Sequence, residues 1–380
     1  MLHFPPEEFS GRMARLRAAM AARGLGAILL FAPESQYWLT GFDSFGYCFF
    51  QCLVVGPDDP VLLTRSADLR QARLTSTIRN IRIWKDAGGA DPAQDLRRLL
   101  SELGLLGRRL GIETDTHGLT ARNWQRLAAA LGGETLIEAS DLVSRLRLTK
   151  SPAEIAFVRE AARLADAAFE AALPLIRPGA SEAEILAAMQ GEILRQGGDY
   201  PGNEFIIGSG AQALLCRYAS GRRVLAPEDQ LTLEWAGVYR HYHAALMRTV
   251  VIGRPRPEHE RMHEAALEAL LACEAALRPG EPMGAVFDAH ARILDAKGFS
   301  AHRLNACGYA MGARFSPSWM EAEMFYEGAE TPIAPGQAFF LHMILMDSES
   351  GTAMSLGRTS LVTEGGAEPL SRLPLDLVRC

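Results

Sequence analysis

The stretch "QLTLEWAGVYRHYHAALMRTVVIG", which runs from Gln230 to Gly253, constrains the fold of this chain more than any other. Apolar and β-branched residues dominate both of its halves, as is typical of two long strands that pair with each other. Glu234 lies inside the first apolar half, where an unpaired charge is costly to bury. We therefore expect an antiparallel strand pair that carries a buried acid, either paired with a cation or available for chemistry.

The residues before about 150 alternate short apolar runs with helical stretches. "GAILLFA" and "TLIEAS" are two such runs, and Asp68–Thr75 and Leu119–Leu131 are two of the helical stretches. This alternation is typical of an α/β layer domain. We expect this domain to span residues 1–148.

A second domain is predicted from residue 149 to residue 380. "SPAEIAFVREAARLADAAF" opens with Ser151 as an N-cap and Glu154 placed to close a capping box, which predicts a long helix. Strand pairs and further helices follow, which favours an antiparallel sheet. The predicted fold class of the whole chain is α+β, with two domains.

The bulk properties exclude several classes of partner. A net charge of -6 and a pI near 5.9 argue against binding to nucleic acid, because phosphate recognition needs clustered Lys and Arg. No uncharged apolar run approaches the roughly 20 residues that cross a bilayer, and the acidic, proline-containing start does not resemble a secretory signal. We expect a cytoplasmic protein without nucleic-acid or membrane partners.

The order of motifs after residue 150 resembles the creatinase, prolidase and methionine aminopeptidase family. These motifs are "EFIIGSG", the paired strands described above, "CGYAMG", "PGQAFFLHM" and "GRTSLVTEGG". The N-terminal half resembles the smaller domain of creatinases and prolidases. The resemblance implies a C-terminal domain of the pita-bread fold behind an N-terminal α/β domain.

Metal-dependent members of that family bind two divalent ions through five side chains. The resemblance puts Glu234, Ala245, Tyr309, His342 and Gly357 at those five positions. Alanine and glycine side chains cannot coordinate a metal, and Glu234 with His342 falls short of the three or four protein ligands that a catalytic site needs. We therefore predict a protein that works without metal or another cofactor.

A second metal pattern, "HERMH" at His259–His263, matches HExxH. Two prolines just before it predict a helix start, and its acids suit the positive end of a helix dipole. We interpret this segment as an ordinary first helical turn.

A further resemblance is to the metal-free ectoine hydrolase group, which opens a cyclic amidine. The pattern Glu-x-Ala-Gly-x-Tyr-Arg-x-Tyr-His-Ala runs from Glu234 to Ala244, and "CGYAMGARFSPSWME" and "YWLTGFDSFGYCFFQCLVV" are similar to two other segments of that group. The resemblance implies a hydrolase that opens a C–N bond in a small cyclic amidine or amide carrying a carboxylate.

In that reading Glu234 attacks the substrate carbon or activates water, and the alternative is a structural salt bridge to Arg240 or Arg248. Tyr309 and His342 would move protons, although a packing tyrosine and a hydrogen-bonded core histidine are the structural alternatives.

His243 is a fourth catalytic candidate. It lies off the alternating face of Glu234 unless a bulge or turn between Tyr239 and Tyr242 resets the register. The predicted substrate-binding residues, for which surface or core positions are the alternatives, are Arg217, Tyr239, Trp319, Phe45 and Tyr47.

The expected partner is a small zwitterionic substrate. A homodimer is implied by the resemblance, because in this family the N-terminal domain of one subunit closes the pocket of the other. Two other functions stay open: a non-catalytic relative that binds a ligand or a partner, and a metal-dependent Xaa-Pro dipeptidase or aminopeptidase.

Overall fold

The computed structural model describes residues 1–217 and 221–380 and divides the chain into two compact units, Met1–Arg147 and Leu148–Cys380. Both units combine helices and strands, so the predicted α+β class is confirmed. In the described ranges no helix is long and apolar enough to cross a membrane.

The N-terminal unit is a mixed sheet between two layers of helices. Its helices are α1 (Pro6–Ala22), α2 (Pro33–Thr40), α3 (Leu69–Thr75), α4 (Pro92–Glu102), α5 (Ala121–Ala130) and α6 (Ser140–Leu148). Its strands are β1 (Ala27–Leu30), β2 (Cys52–Val55), β3 (Val61–Arg65), β4 (Asn80–Trp84), β5 (Arg109–Ile112) and β6 (Thr135–Glu138). The strand order is β4-β3-β2-β1-β5-β6. Because side chains alternate along β1, Leu29 packs in the core with α4 and α5, and Ile28 packs in the core with α1 and α2.

The C-terminal unit is built on a long antiparallel sheet. Its helices are α7 (Pro152–Ala172), α8 (Glu182–Arg195), α9 (Pro257–Ala276) and α10 (Met283–Ala296). Its strands are β7 (Ile206–Ser209), β8 (Asp229–Tyr239), β9 (Tyr242–Ile252), β10 (Gly308–Ala310), β11 (Ala338–Asp347), β12 (Thr352–Thr363), β13 (Gly366–Pro369) and β14 (Val378–Arg379). The main order is β10-β11-β12-β9-β8-β7; β13 pairs with β12, and β14 runs parallel to β9.

The predicted capping box at the start of α7 is present. The Ser151 hydroxyl accepts from the Glu154 amide at 3.3 Å, and the Glu154 carboxylate accepts from the Ser151 amide at 2.9 Å. The other Glu154 oxygen accepts from the Tyr242 hydroxyl at 2.7 Å. The helix cap therefore also fixes the first residue of β9.

A two-residue turn joins β8 to β9. Arg240 and His241 both have positive φ, 52° and 65°, as in the turns that match the twist of a hairpin. The turn pairs Val238 with His243 and Glu234 with Met247, and paired residues share a face. His243 therefore lies on the face of Glu234, because the turn resets the register.

One face of this sheet packs on helices. The Trp235 indole donates to the Ala165 carbonyl of α7 at 2.8 Å. A Cβ on Gly237 would lie 1.9 Å from the Ala161 carbonyl, so only glycine allows α7 to approach this closely. Leu341 of β11 faces the same way and belongs to the core formed with α9 and α10.

The opposite face carries a row of side chains that crosses four strands. Glu234 of β8 pairs with Met247 of β9, Met247 with Gly357 of β12, and Gly357 with His342 of β11. We call this the site face. It unites the acid of the hairpin with a histidine from a distant part of the chain.

Candidate active site

Glu234 is a buried carboxylate on the site face, with 8% of its surface exposed. The Tyr309 hydroxyl donates to its Oε1 at 3.3 Å. Burial raises the pKa of Glu234 to about 7, although the positive charge of Arg217 and the Tyr309 hydrogen bond act in the opposite direction. Its carboxyl group therefore keeps a proton to a higher pH than an exposed glutamate does.

The two arginines considered as salt-bridge partners of Glu234 lie elsewhere. Arg248 projects from the other face of β9, where it donates to the carbonyls of Met247 and Gly357 at 2.8 and 2.7 Å. Arg240 lies in the hairpin turn with its guanidinium 5.4 Å from the centre of the Tyr239 ring. The structural salt bridge is not formed.

Tyr309 connects Glu234 to Trp319. The Trp319 indole donates to the Tyr309 oxygen at 2.8 Å, while the Tyr309 hydroxyl donates to Glu234. Burial and the nearby Glu234 carboxylate raise the pKa of Tyr309 well above its ordinary value, so the hydroxyl keeps its proton. Trp319 is 1% exposed, and its indole N–H donates to the Tyr309 oxygen.

The contact between Tyr309 and Glu234 requires a strongly curled sheet. Their strands, β10 and β8, are four places apart in the strand order. At about 4.8 Å per strand, a flat sheet would separate the two backbones by about 19 Å, beyond the reach of the two side chains. The site face is therefore concave, and its two sides meet at this hydrogen bond.

His342 stands beside Tyr309, with 5.6 Å between ring centroids. Burial, together with the charges of His290 and Arg217, lowers the pKa of His342 to about 3, so the imidazole is neutral at pH 7. Its Nδ1 atom has no hydrogen-bond partner in the parts of the chain that the structure describes. The ring can accept or relay a proton next to Tyr309.

His243 reaches the site only through Trp319, at 6.4 Å between ring centroids. It is fully buried, and its Nε2 accepts from the Gly202 amide at 2.9 Å. Burial lowers its pKa to about 3. His243 therefore packs beside the Trp319 indole and does not contact the Glu234 carboxylate.

Arg217 follows a short 3-10 helix, Gly210–Leu214, and has an exposed side chain. Its positive charge favours the ionised form of Glu234 and acts on Tyr309 and His342 as well. The predicted carboxylate-binding residue is therefore within electrostatic reach of all three groups.

The structure does not bring Tyr239 to Glu234. Because side chains alternate along β8, Tyr239 lies on the opposite face, where its ring packs edge-on against Phe157 of α7 at 5.4 Å. Phe45 and Tyr47 belong to the N-terminal unit and are 75% and 7% exposed. Their substrate contacts stay a prediction.

The five inherited metal positions do not fit a dinuclear centre. A Cβ on Gly357 would lie 2.9 Å from the Phe340 ring and 2.7 Å from the Leu341 carbonyl, so the space for a ligand at this position is filled. Ala245 offers no donor atom. Within residues 1–217 and 221–380 no group of three or more His, Cys, Asp or Glu is arranged to hold a metal ion.

The two histidines of the HExxH pattern serve different structural contacts. His259 accepts from the Arg256 amide at 3.2 Å and pairs with the Gln230 side chain at 2.9 Å. His263 pairs with the Leu375 carbonyl at 2.9 Å. This agrees with the interpretation of the segment as an ordinary first turn.

Sequence reasoning missed Phe340 and Thr232 on the site face. Both lie two residues before a predicted site residue in the same strand, His342 and Glu234 respectively. Strict alternation along β11 and β8 was the signal that places them on this face.

The chain belongs to metallopeptidase family M24. The model of that family matches residues 156–364, and the model of the creatinase/prolidase N-terminal domain matches residues 12–149. These matches confirm the resemblance to creatinases and prolidases and the pita-bread fold. The protein is therefore a hydrolase of the creatinase and M24 family.

Individual relatives span nearly the whole chain. The ectoine hydrolase of Halomonas elongata is 28% identical over 396 residues, covering 99% of this chain and 98% of its own length. The Xaa-Pro dipeptidase of Pyrococcus furiosus is 21% identical over 371 residues, covering 97% and 99%. The solved Xaa-Pro dipeptidase of Bacillus anthracis superimposes with a TM-score of 0.85 at 24% identity, covering 98% of this chain and 100% of its own, a likeness of fold.

Proposed function

We propose that this protein opens a C–N bond in a small cyclic amidine or amide that carries a carboxylate, of the ectoine or hydroxyectoine kind, and that it does so without metal. The observation that carries the proposal is the buried Glu234 carboxyl, hydrogen-bonded to Tyr309 on a face where Phe340 fills the space of a metal ligand. The similarity to an ectoine hydrolase supports the same substrate class.

The chemistry of the substrate carbon favours an amidine over a peptide. A peptide carbonyl is a weak electrophile, and enzymes activate it with a metal ion or an oxyanion site. An amidinium carbon already carries positive charge, so a carboxylate or a water molecule can add to it without a Lewis acid. A site with Glu234 and without a fitting set of metal ligands suits the amidinium.

The raised pKa of Glu234 suits a cationic substrate. In the free enzyme burial favours the protonated acid, with a pKa of about 7. A bound amidinium puts a positive charge next to the carboxyl and favours the carboxylate, because an opposite charge stabilises the ionised form. Substrate binding therefore generates the nucleophile or general base.

Tyr309 and Arg217 complete the proposed reaction. As the C–N bond breaks, the leaving nitrogen takes a proton from the Tyr309 hydroxyl, which lies 3.3 Å from Glu234. The neutral His342 ring beside Tyr309 would relay protons to restore that hydroxyl. The Arg217 guanidinium would hold the substrate carboxylate.

The first test is ring opening by metal-free protein. EDTA-treated protein is incubated with ectoine, and the ring protons are followed by NMR. We expect conversion to an acetylated diaminobutyrate at a rate that added Mn²⁺ or Zn²⁺ does not raise. Glu234→Gln is the matched control and should stay folded without turnover.

The same experiment separates the other two functions. An intact ring, together with cleavage of an Xaa-Pro dipeptide once Mn²⁺ is added, would refute the proposal in favour of a dipeptidase. An intact ring with neither activity would favour a non-catalytic relative. The homodimer expected from the family resemblance is a further proposal, and light scattering on the purified protein tests it.

A further inference from the structure

Two buried polar atoms at the β7–β8 end of the site face have no hydrogen-bond partner in the part of the chain that the structure describes. Thr232 Oγ1 and Gln212 Oε1 find none within residues 1–217 and 221–380, although Thr232 is only 1% exposed. A buried polar atom without a partner is destabilising and rare, so each case calls for an explanation.

Both atoms belong to one end of the site face. Thr232 lies two residues before Glu234 in β8, and side chains two apart share a face. Gly208 of β7 pairs with Thr232, and a Cβ on Gly208 would lie 3.4 Å from the Gln212 Cβ and 2.6 Å from the Gln212 carbonyl. Gln212 therefore lies over this face beside Thr232.

The segment that carries Gln212 is anchored over the face and leads to the catalytic candidates. The Gln230 amide, the next side chain along this face of β8, donates to the Gly210 carbonyl at 3.0 Å. Five residues after Gln212, Arg217 acts on the charge of Glu234. Residues 210–217 thus form one wall of the concave face, from Gln230 to Glu234.

A neighbouring hydroxyl at the same end of the site face does have hydrogen-bond partners. Thr249, which pairs with Thr232, shares a hydrogen bond of 3.1 Å with Ser355 and accepts from the Ser355 amide at 2.8 Å. A carbonyl oxygen only accepts hydrogen bonds, and a hydroxyl oxygen also accepts. Gln212 Oε1 therefore needs an N–H or O–H donor, and the Thr232 hydroxyl, which can donate or accept, can accept from the same group.

We propose that Thr232 and Gln212 form an acceptor site for an N–H group of the substrate, and that this site holds the nitrogen that is retained in the product. The proposal rests on the proposed amidine hydrolysis. There, water adds to the amidine carbon, one C–N bond breaks, and the released nitrogen takes a proton and leaves as an amine. The other nitrogen keeps its hydrogen and becomes the amide N–H.

The two ends of the site differ in what they can do for a nitrogen. Tyr309 has a hydroxyl proton to give to a leaving nitrogen. The Gln212 oxygen has none, so a nitrogen held by Gln212 is stabilised as N–H and is not expelled. The acceptor site therefore determines which of the two amide isomers forms.

Thr232→Val tests the proposal, because valine keeps the shape of threonine and removes the hydroxyl; Thr232→Ser keeps the hydroxyl and is the matched control. We measure kcat/KM for ectoine, the ratio of amide isomers by NMR, and the Tm without ligand. For Thr232→Val we expect a loss of about tenfold in kcat/KM, the typical effect of one neutral hydrogen bond, and a share of the second isomer. Its Tm should not fall, and Thr232→Ser should recover most of the kcat/KM and of the isomer ratio that Thr232→Val loses.

Other outcomes separate the acceptor site from the proposed function. Ring opening by the wild type together with unchanged kcat/KM and isomer ratio in Thr232→Val overturns the acceptor site alone. A lower Tm of Thr232→Val with unchanged kinetics assigns the hydroxyl to the fold and also overturns it. No ring opening by the wild type refutes the amidine function, and the acceptor site falls with it. Gln212→Met, in a separate element, repeats the test if Thr232→Val does not fold.

Discussion

Replacing Glu234 with glutamine should stabilise the protein, and by an amount that depends on pH. The folded-state pKa of about 7 lies about 2.5 above the ordinary value of 4.5. At 1.36 kcal/mol for each pKa unit, the buried carboxylate costs about 3 kcal/mol once it is fully ionised. Glutamine carries no charge and still accepts the Tyr309 hydrogen bond, so it avoids this cost.

The sign of the pH dependence follows from the raised pKa. Below pH 4.5 the acid is protonated in the folded and unfolded states, and the two proteins should differ little in stability. Between pH 4.5 and 7 the unfolded state ionises first, so the wild type loses stability relative to Glu234→Gln. Above pH 7 the difference should be constant at about 3 kcal/mol in favour of the variant.

Urea unfolding followed by tryptophan fluorescence at several pH values between 4.5 and 8.5 measures this difference. Glu274→Gln is a useful contrast, since the Glu274 carboxylate is paired with Arg358 through two bonds of 2.7 Å. Removing one partner of such a buried pair costs about 3–5 kcal/mol, so Glu274→Gln should be less stable than the wild type from neutral pH upwards. A Glu234→Gln protein whose stability relative to the wild type is the same at pH 5 and pH 8 would refute the argument.

Three further results are expected. The kcat/KM for ectoine should fall about tenfold per unit below pH 7 and level off above it, because the free enzyme needs the Glu234 carboxylate; a flat profile from pH 5 to 8 would contradict this. Trp319→Phe removes the N–H that orients the tyrosine hydroxyl, so kcat should fall about tenfold with little change in KM; a change in KM alone would make the indole a substrate contact. The double variant Ala245→Asp, Gly357→Glu should not bind stoichiometric Mn²⁺ in a calorimetric titration, because the Phe340 ring fills the space of the new glutamate. Tight binding would show that the Phe340 ring moves aside.

The parts of the fold that depend on local sequence were predictable. The cap of α7 needs only Ser151 and Glu154 three residues apart, and both hydrogen bonds form. The position of Tyr239 also depends on local sequence, because alternation from Glu234 puts an odd-numbered residue of β8 on the other face.

The residues of the candidate site could be predicted from the sequence, but the contacts among them could not. Glu234, Tyr309 and His342 were singled out by motif position, but their meeting depends on the curl of a sheet whose strands are far apart in sequence. The hairpin turn gave no signal either, since Arg240 and His241 adopt positive φ without glycine or asparagine. The sequence fitted both a turn and a bulge at this point.

Because the sheet is curled, the distance between Tyr309 and Glu234 depends on the angles between all the strands that separate them. Four steps in the strand order separate β10 from β8, so small changes in the angle at each step add up and can move the Tyr309 hydroxyl by about 1 Å relative to Glu234. A misplacement of that size at a catalytic group can cost on the order of a hundredfold in rate. Side chains on the face opposite the site therefore influence the position of the Tyr309 hydroxyl without contacting the substrate. Arg248 is one of them, because it donates hydrogen bonds to carbonyls of β9 and β12. Mutations that tune the rate of this protein should be sought on its helical face as well as in its cleft.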